Sequence, residues 1–305
     1  MRKVSVYWSH ICVLHRQEKL LLRQAAEALR NRGIEVEFHF FGIGYPQHMN
    51  EALREKDAEW PDIIVSADLE VFEDSRLRSR LEGELYPLRK RFPMREGLPW
   101  ELLLKDEGLL PFCGIPLVLY GKGPDFDFEP SILQAEGLSF GGINNSAVKT
   151  IVKAVWSRYG KAAAEQLLRS SLVREMPIDA FRAAQKGEAR CALVPSLYSL
   201  RADGEESRMC RLSEGALLIP SYVCARKTIP EETAYTVLDT IISSAFADFY
   251  AANGDLLVFP DVTGLHSRQE GGRIFVPDAD WLASYEPKEF YELYCSCLPS
   301  AVCPE

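Results

Sequence analysis

The opening third of the chain constrains the fold most. A short β-rich run, Lys3-Val4-Ser5-Val6-Tyr7-Trp8, precedes a helical stretch, roughly Glu18 to Asn31, whose Leu21, Leu22, Ala25, Ala26 and Leu29 share one broad face. Gly33 closes it, and Ile34-Glu35-Val36-Glu37-Phe38-His39-Phe40 alternates as a strand with one buried face. A helix near Met49 to Glu55, a break at Pro61-Asp62 and the apolar run Ile63-Ile64-Val65 complete a β-α-β-α-β order. Strands alternating with helices over short connections pair in parallel through right-handed crossovers. The expected fold class is therefore α/β with mixed, mainly parallel sheets, and Ile63 to Val65 covered on both faces.

Further along, Ile115 to Tyr120 reads as a strand, and Gly123-Pro124 and Phe140-Gly141-Gly142 read as loops. Asn144-Asn145-Ser146 opens a helix that runs to about Tyr159 and closes at Gly160. Lys161 to Ser170 and Pro177 to Lys186 are further helices, and Cys191-Ala192-Leu193-Val194 is a buried strand. Ala216 to Ala225 is strand-like but interrupted by Pro220. Pro230, Glu231 and Glu232 suit the start of a helix that continues to about Asn253.

The length, 305 residues, suits about two domains at roughly 100–200 residues each. The net charge is −9 and the densest basic cluster is Arg89-Lys90-Arg91, which excludes nucleic acid as an expected partner, because neutralising phosphates needs clustered Lys and Arg. No apolar run approaches the ~20 residues of a membrane span. Met1-Arg2-Lys3 is not followed by a signal-like apolar stretch, since Ser5, Ser9 and His10 interrupt it, so a cytoplasmic protein is expected, or a periplasmic or extracellular one if a signal has been removed. The eight cysteines, Cys12, Cys113, Cys191, Cys210, Cys224, Cys295, Cys297 and Cys303, are spread among apolar residues and are expected to be reduced. Cys295, Cys297 and Cys303 offer soft thiolates, but the nearest histidine in sequence is His266, and packed thiols are the expectation, with no metal and no cofactor.

The order of segments resembles the type II periplasmic binding proteins, in particular the solute-binding proteins of iron-type ABC transporters. The resemblance rests on Pro61-Asp62-Ile63-Ile64-Val65-Ser66, on Asp179 to Ala192 with Lys186-Gly187-Glu188-Ala189, on Gly215-Ala216-Leu217-Leu218-Ile219-Pro220, on Ile229-Pro230-Glu231-Glu232 and on Phe249-Tyr250-Ala251-Ala252-Asn253-Gly254. It implies two lobes joined by two crossing strands, near Cys113–Tyr120 and Leu217–Ala225, that close over a small ligand. Lobe 1 would comprise residues 1–115 and 221–305, and lobe 2 residues 116–220. It implies a binder rather than an enzyme, with an ABC transporter permease as partner if the protein is exported.

In open α/β sheets ligands lie beyond the carboxyl ends of the strands. That rule selects Ser9 and His10 after the first strand, Ser66 and Asp68 after the third, and Ser196 and Tyr198 after the Cys191 strand. Asn144, Asn145 and Ser146 join them as a helix start, a natural seat for a carboxylate, phosphate or sulfate and equally a plain N-cap. Tyr7-Trp8 beside Ser9-His10 suits a half-apolar pocket, or core packing with His10 at the surface. Asp68 suits a cationic ligand or the cap of the next helix. Tyr198 is similar in position to a phenolate ligand of ferric-binding members, which use adjacent tyrosines; here its neighbours are Leu197 and Ser199. Two alternatives remain open: a cytoplasmic ligand sensor or storage protein of the same fold, and a thiaminase-like enzyme using Cys113 as nucleophile.

Overall fold

Val4, Val6 and Trp8 are buried and alternate with half-buried neighbours, which is the period-two signature of a strand against a core. They lie on β1 (Arg2–Ser9) of a computed structural model that describes residues 1–42, 44–55, 59–104, 106–122, 130–201, 207–254, 256–262 and 272–302. The chain continues through α1 (His15–Arg30), β2 (Ile34–Phe41), α2 (Met49–Arg54), β3 (Ile63–Ser66), α3 (Glu70–Glu73), α4 (Ser75–Leu81), α5 (Leu88–Arg91) and β4 (Leu110–Lys122). Then come β5 (Leu138–Gly141), α6 (Ser146–Tyr159), α7 (Lys161–Ser170), β6 (Leu172–Arg174), α8 (Pro177–Gln185), β7 (Cys191–Pro195), β8 (Ser207–Cys210) and β9 (Ala216–Ala225). The last elements are α9 (Glu231–Ile241), α10 (Ser244–Ala252), β10 (Leu257–Val258), β11 (Ile274–Phe275), α11 (Ala279–Ser284) and α12 (Pro287–Cys297).

The fold is α/β and divides into two units: Met1–Gly114 with Pro220–Glu270, and Ile115–Ile219 with Gly271–Glu305. In the first unit the strand order is β2-β1-β3-β9. β1 is parallel to β2 and β3, β9 runs antiparallel to β3, and β10 pairs antiparallel with β4 at Cys113 and Gly114. Its core gathers Trp8, Phe112, Phe246 and Tyr250, with Trp8 edge-on to Phe112 at 6.1 Å between ring centroids. In the second unit the order is β4-β7-β5-β6. β5 is parallel to both β6 and β7, and β4 is antiparallel to β7 and β8. Among the described residues no helix is long and apolar enough to cross a membrane.

Several expectations need correction. The chain changes unit within β4 and within β9, and a third time between Glu270 and Gly271, so residues 271–305 do not belong with the first unit. The cause is apolar: α11 and α12 carry Leu282, Phe290, Leu293 and Tyr294, all buried. Trp281 and Phe290 lie 5.9 and 6.1 Å from Trp156 of α6, and the Tyr294 hydroxyl donates to the Ile143 carbonyl at 2.6 Å. The single helix expected up to Asn253 is two, because Ile242 leaves the helical region (φ −96, ψ 68) and Ser243 is extended. Phe140 and Gly141 form the end of β5, not a loop; a side chain at position 141 would strike the Met176 carbonyl, so the strand needs glycine there. Pro220 does not interrupt β9, since it falls between the residues paired with β11 and those paired with β3, where its missing N–H breaks neither ladder. Cys113, Cys191 and Cys224 are buried free thiols, but Cys295, in the half-buried last turn of α12, is disulfide-bonded. Gly123-Pro124, His266 and Cys303 lie outside the described residues.

Candidate functional site

The register of the first unit brings two of the predicted strand tips together. β1 and β3 are parallel neighbours with Trp8 opposite Val65, so Ser9-His10 and Ser66 to Asp68 leave the sheet side by side. Position 10 continues the parity of Val4, Val6 and Trp8, and His10 is accordingly buried, 7% exposed, not at the surface. Its Nδ1 lies 3.0 Å from Glu18 Oε2, which also accepts from the Ile11 amide at 2.9 Å. The Tyr250 hydroxyl donates to Glu18 Oε1 at 2.7 Å. Glu18 is 1% exposed, a carboxylate in the core whose oxygens are held by an imidazole, an amide and a phenol. Burial, then the Glu18 charge, pushes the Tyr250 phenol well above its ordinary value, so it remains a donor.

Ser66 and Asp68 are committed in large part to their own loop. The Ser66 hydroxyl accepts from the Asp68 amide at 3.0 Å, and Asp68 Oδ1 accepts from the Glu70 amide at 3.1 Å, an Asx turn that leads into α3, whose N-cap is Leu69.

In the second unit β5 and β7 are parallel neighbours, with Phe140 opposite Leu193, so Asn144 to Ser146 and Ser196 to Tyr198 again follow adjacent tips. Asn145 caps α6: its Oδ1 accepts from the Ala147 amide at 2.9 Å. Asn144 Oδ1 accepts from the Val302 amide at 2.8 Å, so this residue fastens the C-terminal segment. Ser146 is the first residue of α6 and is half-buried. Ser196 is buried. Tyr198 is 2% exposed, with its ring 5.3 Å from Phe181, which in turn lies 4.5 Å from Tyr120. The phenol at position 198 thus belongs to an aromatic cluster of the core.

Cys113 lies in the first unit on β4, 1% exposed. Burial and the nearby Glu18 charge push its thiol far above the ordinary range, against a small opposing effect of its hydrogen bond with Ser221. That is the reverse of an activated nucleophile. Among the described residues no group of three or more His, Cys, Asp or Glu is placed to hold a metal ion, and the bonded sulfur of Cys295 is not a thiolate ligand.

Two residues of this site escape a reading of the sequence. Glu18 had a signal: it stands four, seven and eleven positions before Leu22, Ala25 and Leu29, the buried stripe of α1. Tyr250 had none, since its partner lies 232 positions away.

No protein-family model matches the chain, and no curated protein does. Among solved structures the whole chain is similar to iron-bound HitA from Pseudomonas aeruginosa, with a TM-score of 0.65 and 17% identity over 98% of this chain and 100% of that one. It is similar to the periplasmic binding protein AfuA from Actinobacillus pleuropneumoniae with fructose-6-phosphate bound, with a TM-score of 0.63 and 14% identity over 98% and 99%. A two-component system protein that mediates signal transduction superposes with a TM-score of 0.64 and 13% identity over 96% and 100%. The fold is that of the type II periplasmic binding proteins, two-lobed in those structures.

Proposed function

We propose that this chain binds a small solute without transforming it, and that the solute carries an oxyanion received at the start of α6. The observation that carries the reading is the end-to-end likeness to solute-binding proteins, 98% of this chain on all of HitA, together with polar residues at the strand tips of each unit. AfuA, with its bound sugar phosphate, supports an anionic group on the solute. The first-turn amides of α6 and the positive end of its dipole suit such a group, and Ser146 supplies a hydroxyl at the same place. The buried thiol of Cys113 argues against the thiaminase-like alternative.

The bonded Cys295 favours an oxidising compartment over the cytosol, because glutathione keeps cytosolic thiols reduced. An exported binder of this kind would hand its solute to an ABC transporter permease. A sensing role is the second reading, favoured by the likeness to the signal-transduction protein; solute binding would then favour a state that a partner recognises.

Native mass spectrometry of the protein as purified should show a small-molecule adduct that denaturation releases. Calorimetric titration with inorganic phosphate and with fructose 6-phosphate should show binding that Ser146→Ala and Asn145→Ala weaken about tenfold, roughly the loss of one charge-assisted hydrogen bond. Equal affinity in wild type and both variants would end the oxyanion assignment.

A further inference from the structure

β2 is the outer strand of its sheet. It pairs with β1 on one side, and among the described residues no strand or bridge pairs with the other. Hydrogen bonds at the two ends of the β1–β2 ladder fix which of its peptide groups are committed. The Arg2 amide donates to the Gly33 carbonyl at 3.1 Å, and the His10 amide to the Phe41 carbonyl at 2.8 Å. In a strand both main-chain groups of a residue point to one side, and the side alternates along the chain. Glu35, Glu37 and His39 therefore face β1, in phase with Gly33 and Phe41. Ile34, Val36, Phe38 and Phe40 direct their N–H and C=O groups outward, where no strand receives them.

An unpaired edge invites a further strand, and charged residues are the usual device against it. In β2 the charged and aromatic residues alternate in an order that complements itself. Two such edges join only in registers that set outward residue opposite outward residue. With a two-fold axis through Phe38, that residue lies opposite its own copy, Val36 lies opposite Phe40, and Glu37 lies opposite His39 on both sides of the axis. The outward residues then exchange about six main-chain hydrogen bonds, and Glu37 and His39 occupy the intervening pairs, where opposed side chains come closest. Each such pair sets a carboxylate acceptor against an imidazole. The same two groups already approach to 3.5 Å along the strand, and their side chains are 73% and 44% exposed. On the opposite face Val36, Phe38 and Phe40 form a half-buried row, the two phenyl rings within 4° of parallel at 6.1 Å, which the second copy extends. Neighbouring axes lack this match: through Glu37 two carboxylates meet, through Val36 Glu35 meets Glu37, and through His39 two imidazoles meet.

We propose that the outer edge of β2 is an interface between two copies of this chain, joined as antiparallel strands about a two-fold axis at Phe38. The strand lies wholly in the first unit, and its pairing is independent of the solute-binding reading.

Sedimentation velocity of the full chain, from low micromolar to near-millimolar concentration, should show a monomer–dimer equilibrium. Glu37→Lys removes the acceptor opposite His39 and should weaken the dimer about tenfold or more. Glu37→Lys combined with His39→Glu restores opposite charges in reverse order and should return the affinity to within about threefold of wild type. Phe38→Pro removes an N–H that β1 does not use, so it should leave a folded monomer; should it fail to fold, the exposed pair at 37 and 39 carries the test. In the wild type, amide exchange at Val36, Phe38 and Phe40 should slow as protein concentration rises, whereas Glu37 and His39, bonded to β1, should be equally protected throughout. A monomer at every concentration, a dimer indifferent to the charge exchange, or a dimer that leaves the Val36, Phe38 and Phe40 amides unprotected overturns the proposal.

Discussion

Glu18 occupies a position that the stripe of α1 assigns to hydrocarbon, and the cost of burying its charge is offset by three partners from two parts of the chain. Tyr250→Phe removes the donor to Oε1 and leaves that oxygen buried without it; urea denaturation should show a loss of about 1–3 kcal/mol. Glu18→Gln combined with Tyr250→Phe should cost less than the sum, since the two act on one bond. The buried thiols make a second prediction. Burial pushes Cys191 and Cys224 up to about 12, with small opposing or reinforcing charges nearby. A thiol raised in the folded state stabilises fully below its ordinary value near 9.0, and that contribution is lost as pH rises toward 12. The melting temperature should therefore fall across that alkaline window, while at pH 8 a thiol reagent should label half-buried Cys297 and leave Cys113, Cys191 and Cys224 untouched in the native protein. The parity of Val4, Val6 and Trp8 carried the signal for the burial of His10, which the alternative of a surface His10 passed over; nothing local announced Tyr250 as its indirect support.

Among the elements, α6, α7 and α8 of the second unit were the most readable, because each carries its own punctuation; α11 and α12 were not read. Asn145 caps α6, Gly160 at φ +89 separates it from α7, and Pro177 opens α8. Asn145→Ala should cost about 1 kcal/mol by thermal melting, the ordinary loss of an N-cap bond. β5 was not readable, since Gly141 signals a loop unless one knows that the Met176 carbonyl crowds it. The break between α9 and α10 contains neither Gly nor Pro. Glu214 shows how loops are tied to elements. It accepts from the Ser131 hydroxyl at 2.6 Å, the Tyr159 hydroxyl at 2.8 Å and the Ile132 amide at 3.1 Å. Burial alone would push its carboxyl up, but these donors outweigh it and hold the group below the usual range. Its contribution to stability is present above that range and is lost as pH falls through the depressed value. An acid titration of unfolding should show Glu214→Gln to be less stable near neutrality and less sensitive to acid than the wild type.

For the molecule as a whole, the α/β class and the β-α-β-α-β opening followed from periodicity, whereas the membership of residues 271–305 did not. Apolar faces on α11 and α12 say that a partner is needed, not which one. Trp156, Tyr294 with Ile143, and the pair Lys161 with Glu289 at 2.7 Å settle it for the second unit. A chain truncated before Ala279 should lose the cooperative melting of that unit, measured by calorimetry, and expose it to protease; a truncated chain that melts like the full one would show that the segment is dispensable. The interleaved path has a consequence for biosynthesis. On the ribosome β1, β2 and β3 emerge long before β9, α9 and α10, and the second unit lacks α11 and α12 until after the first unit's elements have emerged. Each half therefore depends on partners made later than its first strands, the first unit on β9 to α10 and the second on α11 and α12.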